Sequence, residues 1–208
     1  MRFRGGFLAG AGYAGRMSDG FFHTLGRLLR TLVVLAALAF ALAGGWHYWR
    51  IHRFDKDIAA SAQRHSLPPR LISSLIWRES RFDPDCHGPK KEIGLMQVTE
   101  AAAHEWAAAQ YRADLTRAEL WLPATNIEVG AWYLSRAVQR WSHTRNDPLP
   151  FALAEYNAGR SNAMRWSSAC GADSRRYLDC ITYPGTRRYV ADILKRYRGA
   201  TALPPATK

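Results

Sequence analysis

Acidic residues are scarce in this 208-residue chain: 17 Asp and Glu stand against 29 Lys and Arg, a formal net charge of +12. That imbalance favours polyanionic partners, whether nucleic acid, anionic lipid or an acidic polymer. The signatures of a basic nucleic-acid binder are missing. There is no zinc-finger spacing, basic zipper or RNA-recognition motif, and the cations are scattered along the chain rather than gathered in one stretch. Cysteine is sparse too: Cys86, Cys170 and Cys180 lack metal-ligand spacing, and three thiols cannot all pair within one chain. No convincing alternating strand run appears, although Glu92 to Val98 has room for a small hairpin. With 48% hydrophobic and 22% charged residues, the composition is that of a globular protein able to form a packed core.

Long apolar runs are also absent, with one exception. Thr31 to Ala43, TLVVLAALAFALA, follows Arg27 and Arg30 and precedes Trp46, Tyr48 and Trp49. A spanning helix needs about 20 apolar residues. The run reaches that length when Gly44 to Trp49 are included, the aromatics then forming an interfacial belt. Ala41-Leu42-Ala43 equally fits a small-x-small cleavage site, which would make the segment a removable signal peptide. Both readings export the C-terminal part to the periplasm, anchored at the inner membrane or free. Met17 is an alternative start behind a Gly-rich, featureless leader. In an oxidising compartment a disulfide between Cys170 and Cys180 would close the segment CGADSRRYLDC and leave Cys86 free; three unpaired thiols are the alternative.

The organisation expected is a leader over residues 1–30, an anchor or signal helix over 31–49, a connecting helix over 50–66, one domain over 67–198 and a loose tail over 199–208. Within the domain, Pro69 opens a helix RLISSLIWRES that places Ile72, Leu75, Ile76 and Glu79 on one side. A carboxyl on an apolar stripe loses solvation when charged, so its pKa should rise toward the value a general acid needs. The competing reading is a solvated ion pair with Arg78 or Arg81. Further helices are expected from Thr99, from Pro123 through the run ATNIEVGAWYLSRAVQRW, and over Pro150 to Asn157 with Gly159 as a left-handed terminator. Two more follow, capped by Ser161 and Thr186.

Five blocks occur in order: RESRF with Asp83-Pro84, IGLMQV (Ile93 to Val98), LPATNIEVGAWYL (Leu122 to Leu134), ALAEYNAG (Ala152 to Gly159) and YPGTRRYV (Tyr183 to Val190). Together they resemble the soluble lytic transglycosylase family of goose-lysozyme-like murein enzymes, from Leu67 to about Arg198. The resemblance implies a mainly α, lysozyme-like fold with Glu79 as the catalytic acid. It implies that Ser80 orients that acid or binds sugar, and that Gly94, Leu95, Met96 and Gln97 form a glycan-contacting turn. Tyr156 and Asn157 match a pair at the cleft, and Tyr189 a tyrosine whose hydroxyl reaches the reaction centre. Asn126, Gly130 and Tyr133 match a block expected to serve as scaffold, with Gly130 permitting close helix contact and Tyr133 facing the core.

Two departures stand out. Glu155 replaces a residue that is often small in the family, and its side chain is expected to point to solvent. The loop DCHGPKKEIG lacks the family's small-residue pattern, which leaves the roles of Cys86 and His87 open. The implied reaction cleaves the bond between N-acetylmuramic acid and N-acetylglucosamine and leaves a 1,6-anhydro end, with neither metal nor organic cofactor. A hydrolytic muramidase on the same fold and an inactive membrane-tethered murein-binding scaffold are the alternatives. The expected partners are peptidoglycan strands, the inner membrane through the N-terminal helix and a protein of the envelope machinery, with no nucleic acid.

Overall fold

The computed structural model describes residues 13–112, 115–170 and 174–199. Residues 1–12 of the expected leader and 200–208 of the expected tail lie outside the described residues. The contacts divide the chain into two units, residues 1–50 and 51–208.

The first unit is formed by helix α1 (Tyr13–His52), in which the apolar run expected over 31–49 is embedded. Leu32, Val33, Leu35, Leu38 and Phe40 are all exposed. The helix is long and apolar enough to cross a membrane. Trp46 and Trp49, one turn apart near its end, lie with ring centroids 5.0 Å apart.

The second unit is helical. Its elements are α2 (Asp55–Arg64), α3 (Pro69–Ser80), α4 (Glu100–Ala109), a 3-10 turn (Glu119–Trp121), α5 (Pro123–Ser142), α6 (Leu149–Ala158), α7 (Arg160–Cys170), α8 (Ser174–Cys180) and α9 (Pro184–Arg198). Proline stands in the first turn of α3, α5, α6 and α9, where its missing N–H would have no helical partner anyway. Thr99 caps α4 by accepting from the Ala102 N–H at 3.2 Å.

α6 is the hub, packing against α5, α7, α8 and α9. Its sequence LPFALAEYNA lacks a polar face, and Phe151 to Ala154 are fully buried, as a helix apolar all round must be. α3 contributes Leu71, Ile72, Leu75 and Ile76 to the same core, each with no exposed surface, and lies against α9. Truncating any of these to Ala costs about 2–5 kcal/mol. Glu128 of α5 ties α2 down by accepting from Ser61, Arg64 and His65 at 2.9, 2.6 and 2.7 Å. Burial pushes its carboxyl upward, but these donors outweigh burial and leave it below the usual value.

Several local expectations are corrected. Gly159 ends α6 at φ 84°, ψ 156°, a region open essentially to glycine but distinct from the left-handed helical one. Ser161 lies inside α7, which starts at Arg160. Thr186 lies in the first turn of α9, whose flanking residue is Tyr183 and whose Pro184 opens the helix. In place of a hairpin, Ile93 forms isolated bridges to His87 and Val98, and no strand appears among the described residues. Cys170 and Cys180 form a disulfide, and Cys86 is free.

Candidate active site

A cleft of about 970 Å³ opens in the second unit, lined from α3, the 89–99 segment, α5, α6 and α9. Glu79 reaches it from the last turn of α3. The helix stops immediately afterwards because Arg81 and Phe82 both adopt positive φ, 55° and 62°, turning the chain so that Phe82 is fully buried. Glu79 thereby stands at the end of an apolar stripe, facing the cleft rather than solvent.

Among the described residues, its carboxyl accepts a side-chain hydrogen bond from the Tyr189 hydroxyl, to Oε1 at 2.6 Å. Burial raises its pKa from 4.5 to about 7; the Tyr189 bond and the Arg78 charge pull the other way, and the Glu92 charge adds to the rise. Neither cation considered from sequence neutralises it. Arg78 pairs with Asp192 at 3.4 Å, and Arg81 lies over the Trp77 ring at 4.7 Å. Tyr189 is buried and its own ionisation is pushed far upward by burial and by Glu79, so its hydroxyl remains a donor.

The segment opposite is fixed mainly by backbone capture. Asn126 on α5 donates to the Ile93 and Leu120 carbonyls at 2.9 and 3.0 Å and accepts from the Met96 N–H at 2.8 Å. Ser80 is buried and donates to the Leu95 carbonyl at 2.8 Å and the Ile76 carbonyl at 3.2 Å. Its hydroxyl is thus committed to stitching α3 to this segment, rather than to the acid or a sugar. The Tyr156 hydroxyl donates to the Met96 carbonyl at 2.9 Å.

Leu95 and Met96 are buried, so the structure places their side chains in the core and away from a glycan. Gly94 has φ 74°, and a Cβ there would stand 2.6 Å from Asn126 Nδ2; the close approach is to the Asn126 clamp. A Cβ on Gly130 would meet Met96 Sδ at 2.6 Å, so this glycine accommodates the Met96 side chain rather than a second helix. Gln97, at φ 47°, lines the cleft, with its amide donating to the Cys86 and Gly94 carbonyls at 3.0 and 2.9 Å.

Asn157 also lines the cleft, its Oδ1 held by the Thr186 hydroxyl at 2.8 Å. Tyr133 is half-buried and turned to the cleft, its ring edge-on to Tyr156 with centroids 6.0 Å apart. Glu155 departs from the solvent-facing expectation: it is 2% exposed, bonded to Arg140 and accepting from Trp141 Nε1 at 2.8 Å. Burial and the charges of Asp83 and Glu79 raise the Cys86 thiol above its ordinary value. His87 packs on Trp121 at 4.5 Å.

Thr186, expected only as a helix cap, and Glu92, expected only in a hairpin, also line the cleft. Thr186 carried a signal, since it precedes Tyr189 by three residues and so shares its helix face. Glu92 carried none, because its place in the cleft depends on a fold-back of the loop.

Against this geometry the sequence comparison is decisive, for the Transglycosylase SLT domain profile matches residues 57–178. The chain belongs to that family. The membrane-bound lytic murein transglycosylase F of Desulfosudis oleivorans is 31% identical over 75% of this chain and 34% of its own length. The soluble lytic murein transglycosylase of Escherichia coli K12 is 28% identical over 62% of this chain and 20% of its own. The chain therefore spans about a third and a fifth of these relatives. An inactive mutant of lytic transglycosylase Slt from Pseudomonas aeruginosa superposes with a TM-score of 0.64 over 76% of this chain at 21% identity, a likeness of fold. The matched residues include Glu79 and most of the cleft lining, while Tyr183, Gly185, Thr186 and Tyr189 lie beyond them.

Proposed function

We propose that the chain is a murein lytic transglycosylase, acting at the periplasmic face of the inner membrane or in the periplasm, in which Glu79 serves as acid and then as base. The carrying observation is a carboxyl raised to about 7 in a large cleft, held by a neutral hydroxyl. Tyr189 engages Oε1, which leaves Oε2 to hold the proton. Glu79 passes that proton to the oxygen bridging N-acetylmuramic acid and N-acetylglucosamine. As that bond breaks, the substrate's acetamido oxygen bonds to the anomeric carbon, in the manner of enzymes that dispense with a second protein carboxylate. The Glu79 carboxylate then removes the proton of the muramyl 6-hydroxyl. This oxygen attacks the anomeric carbon and expels the acetamido oxygen, closing the 1,6-anhydro ring.

A nucleophile already within the substrate has the proximity advantage of an intramolecular reaction. Gln97, Asn157, Tyr133 and Tyr156 supply the polar and aromatic walls on which a glycan can rest. Mass spectrometry of the ends released from purified murein tests the reading. Anhydro ends from the parent, and none from Glu79→Gln, are expected. Reducing ends would make it a hydrolytic muramidase, and binding with neither product would make it a scaffold.

A further inference from the structure

A second hollow, of about 480 Å³, lies between α3 and α9 and shares Arg78 with the catalytic cleft. Arg78, Arg81, Lys195 and Arg196 line it, and Asp192 is the one carboxylate among its described lining residues. Asp192 is engaged by Arg78 at 3.4 Å. The floor is the Trp77 indole, with the Arg196 and Arg81 guanidinium carbons 4.2 and 4.7 Å from its ring centroid. Arg70 adds a further cation, reaching the Arg196 carbonyl at 3.3 Å. Cations gathered this way repel one another, and an anion that bridges them relieves the repulsion.

The backbone supports the same reading. Arg81 occupies the left-handed position that ends α3, at φ 55°, ψ 33°, where glycine is the ordinary residue and a side chain carries a cost. The residue placed there brings its guanidinium over Trp77. Guanidinium groups favour planar oxyanions because their forked donors match carboxylate geometry.

We propose that this hollow is a non-catalytic site for the carboxylate-bearing peptide branches of the polymer whose glycan occupies the cleft. The assignment rests on the murein reading above. It favours murein over an anionic membrane because Arg78 lines both the hollow and the cleft, so the two are neighbours and one polymer can engage both.

The test uses the full chain in detergent, carrying Glu79→Gln so that binding is read without turnover. Arg81→Gly retains the left-handed backbone, and Arg196→Gln removes the charge while keeping a polar, unbranched stem; coincident thermal unfolding of parent and variant checks the fold. Binding is measured on immobilised intact murein, on immobilised glycan strands stripped of their peptides by amidase, and on phosphatidylglycerol vesicles after removal of the detergent. The double variant should bind intact murein about 10-fold more weakly and stripped glycan unchanged. Equal weakening on both polymers, or none on intact murein, overturns the proposal. Loss confined to vesicles would assign the hollow to lipid headgroups and overturn it too. A parent that binds neither polymer would refute the murein reading itself, and this inference with it.

Discussion

Glu79 and Glu155 are two carboxylates brought to one cleft by different helices, and the protein treats them in opposite ways. Glu155 is sealed in with a guanidinium and an indole N–H, from Arg140 and Trp141 one helix away. Glu79 receives one hydroxyl, while the cation beside it is drawn off to Asp192. Glu155 is buried and Glu79 largely so; the difference lies in whether a cation bonds the carboxyl directly. With one, a buried carboxylate becomes a strut between α5 and α6. Without one, it becomes an acid poised near neutrality.

The sharpest way to break the contrast is to remove the proton carrier. Glu79→Gln should lower the release of anhydro ends by on the order of 10³-fold, within the range typical of a lost general acid. The same variant bears on stability, with a sign that distinguishes it from an ion-pair loss. A carboxyl raised from 4.5 to about 7 on folding is protonated more readily in the native state. Its contribution is therefore fully favourable below pH 4.5 and is lost as pH rises through 7. Glu79→Gln should be neutral at pH 4 and stabilising at pH 8, by at most about 3 kcal/mol. Urea unfolding at the two pH values measures it.

Arg140→Leu should do the reverse. It leaves Glu155 buried without its cation, at a cost of about 3 kcal/mol in urea unfolding. The double variant Arg140→Leu with Glu155→Leu should recover most of that loss, since two apolar side chains leave no charge to solvate. Turnover per folded molecule should change little in the double variant. A large drop there would mean that Glu155 has a share in the chemistry.

The sequence patterns specify the helices far better than the loop. Pro69 and Pro123 mark helix starts because proline's missing N–H is harmless only there, and the apolar stripe through Ile72, Leu75 and Ile76 aims Glu79. The 89–99 segment has no such period. Its shape follows from Asn126, Ser80 and Tyr156, each of which captures its backbone from a distant part of the chain. Leu95 and Met96 therefore look like contact residues in a linear reading and prove to be core. Glu155 misled for the same reason, because its partner on α5 is visible only once α5 and α6 pack. The resemblance to known murein enzymes located the cleft residues, but it could not say which of them face inward.

The smallest effect expected is also the most diagnostic of how Glu79 is held. Tyr189→Phe removes the hydroxyl that donates to Oε1 and leaves the ring in place beside Arg78, whose guanidinium lies 5.3 Å from it. The hydroxyl bond favours the charged carboxylate, so its loss should raise the Glu79 pKa beyond about 7. A hydrogen bond to a charged group is worth about 1.5 kcal/mol, which is about one pH unit. The alkaline limb of the turnover profile should move upward by that amount. The plateau rate should fall about 10-fold, because the carboxyl loses the contact that orients its proton. A lower rate with an unmoved limb would show that Tyr189 positions substrate instead of the acid. The contrast between the two carboxylates would then rest on the Arg140 cation at Glu155 alone.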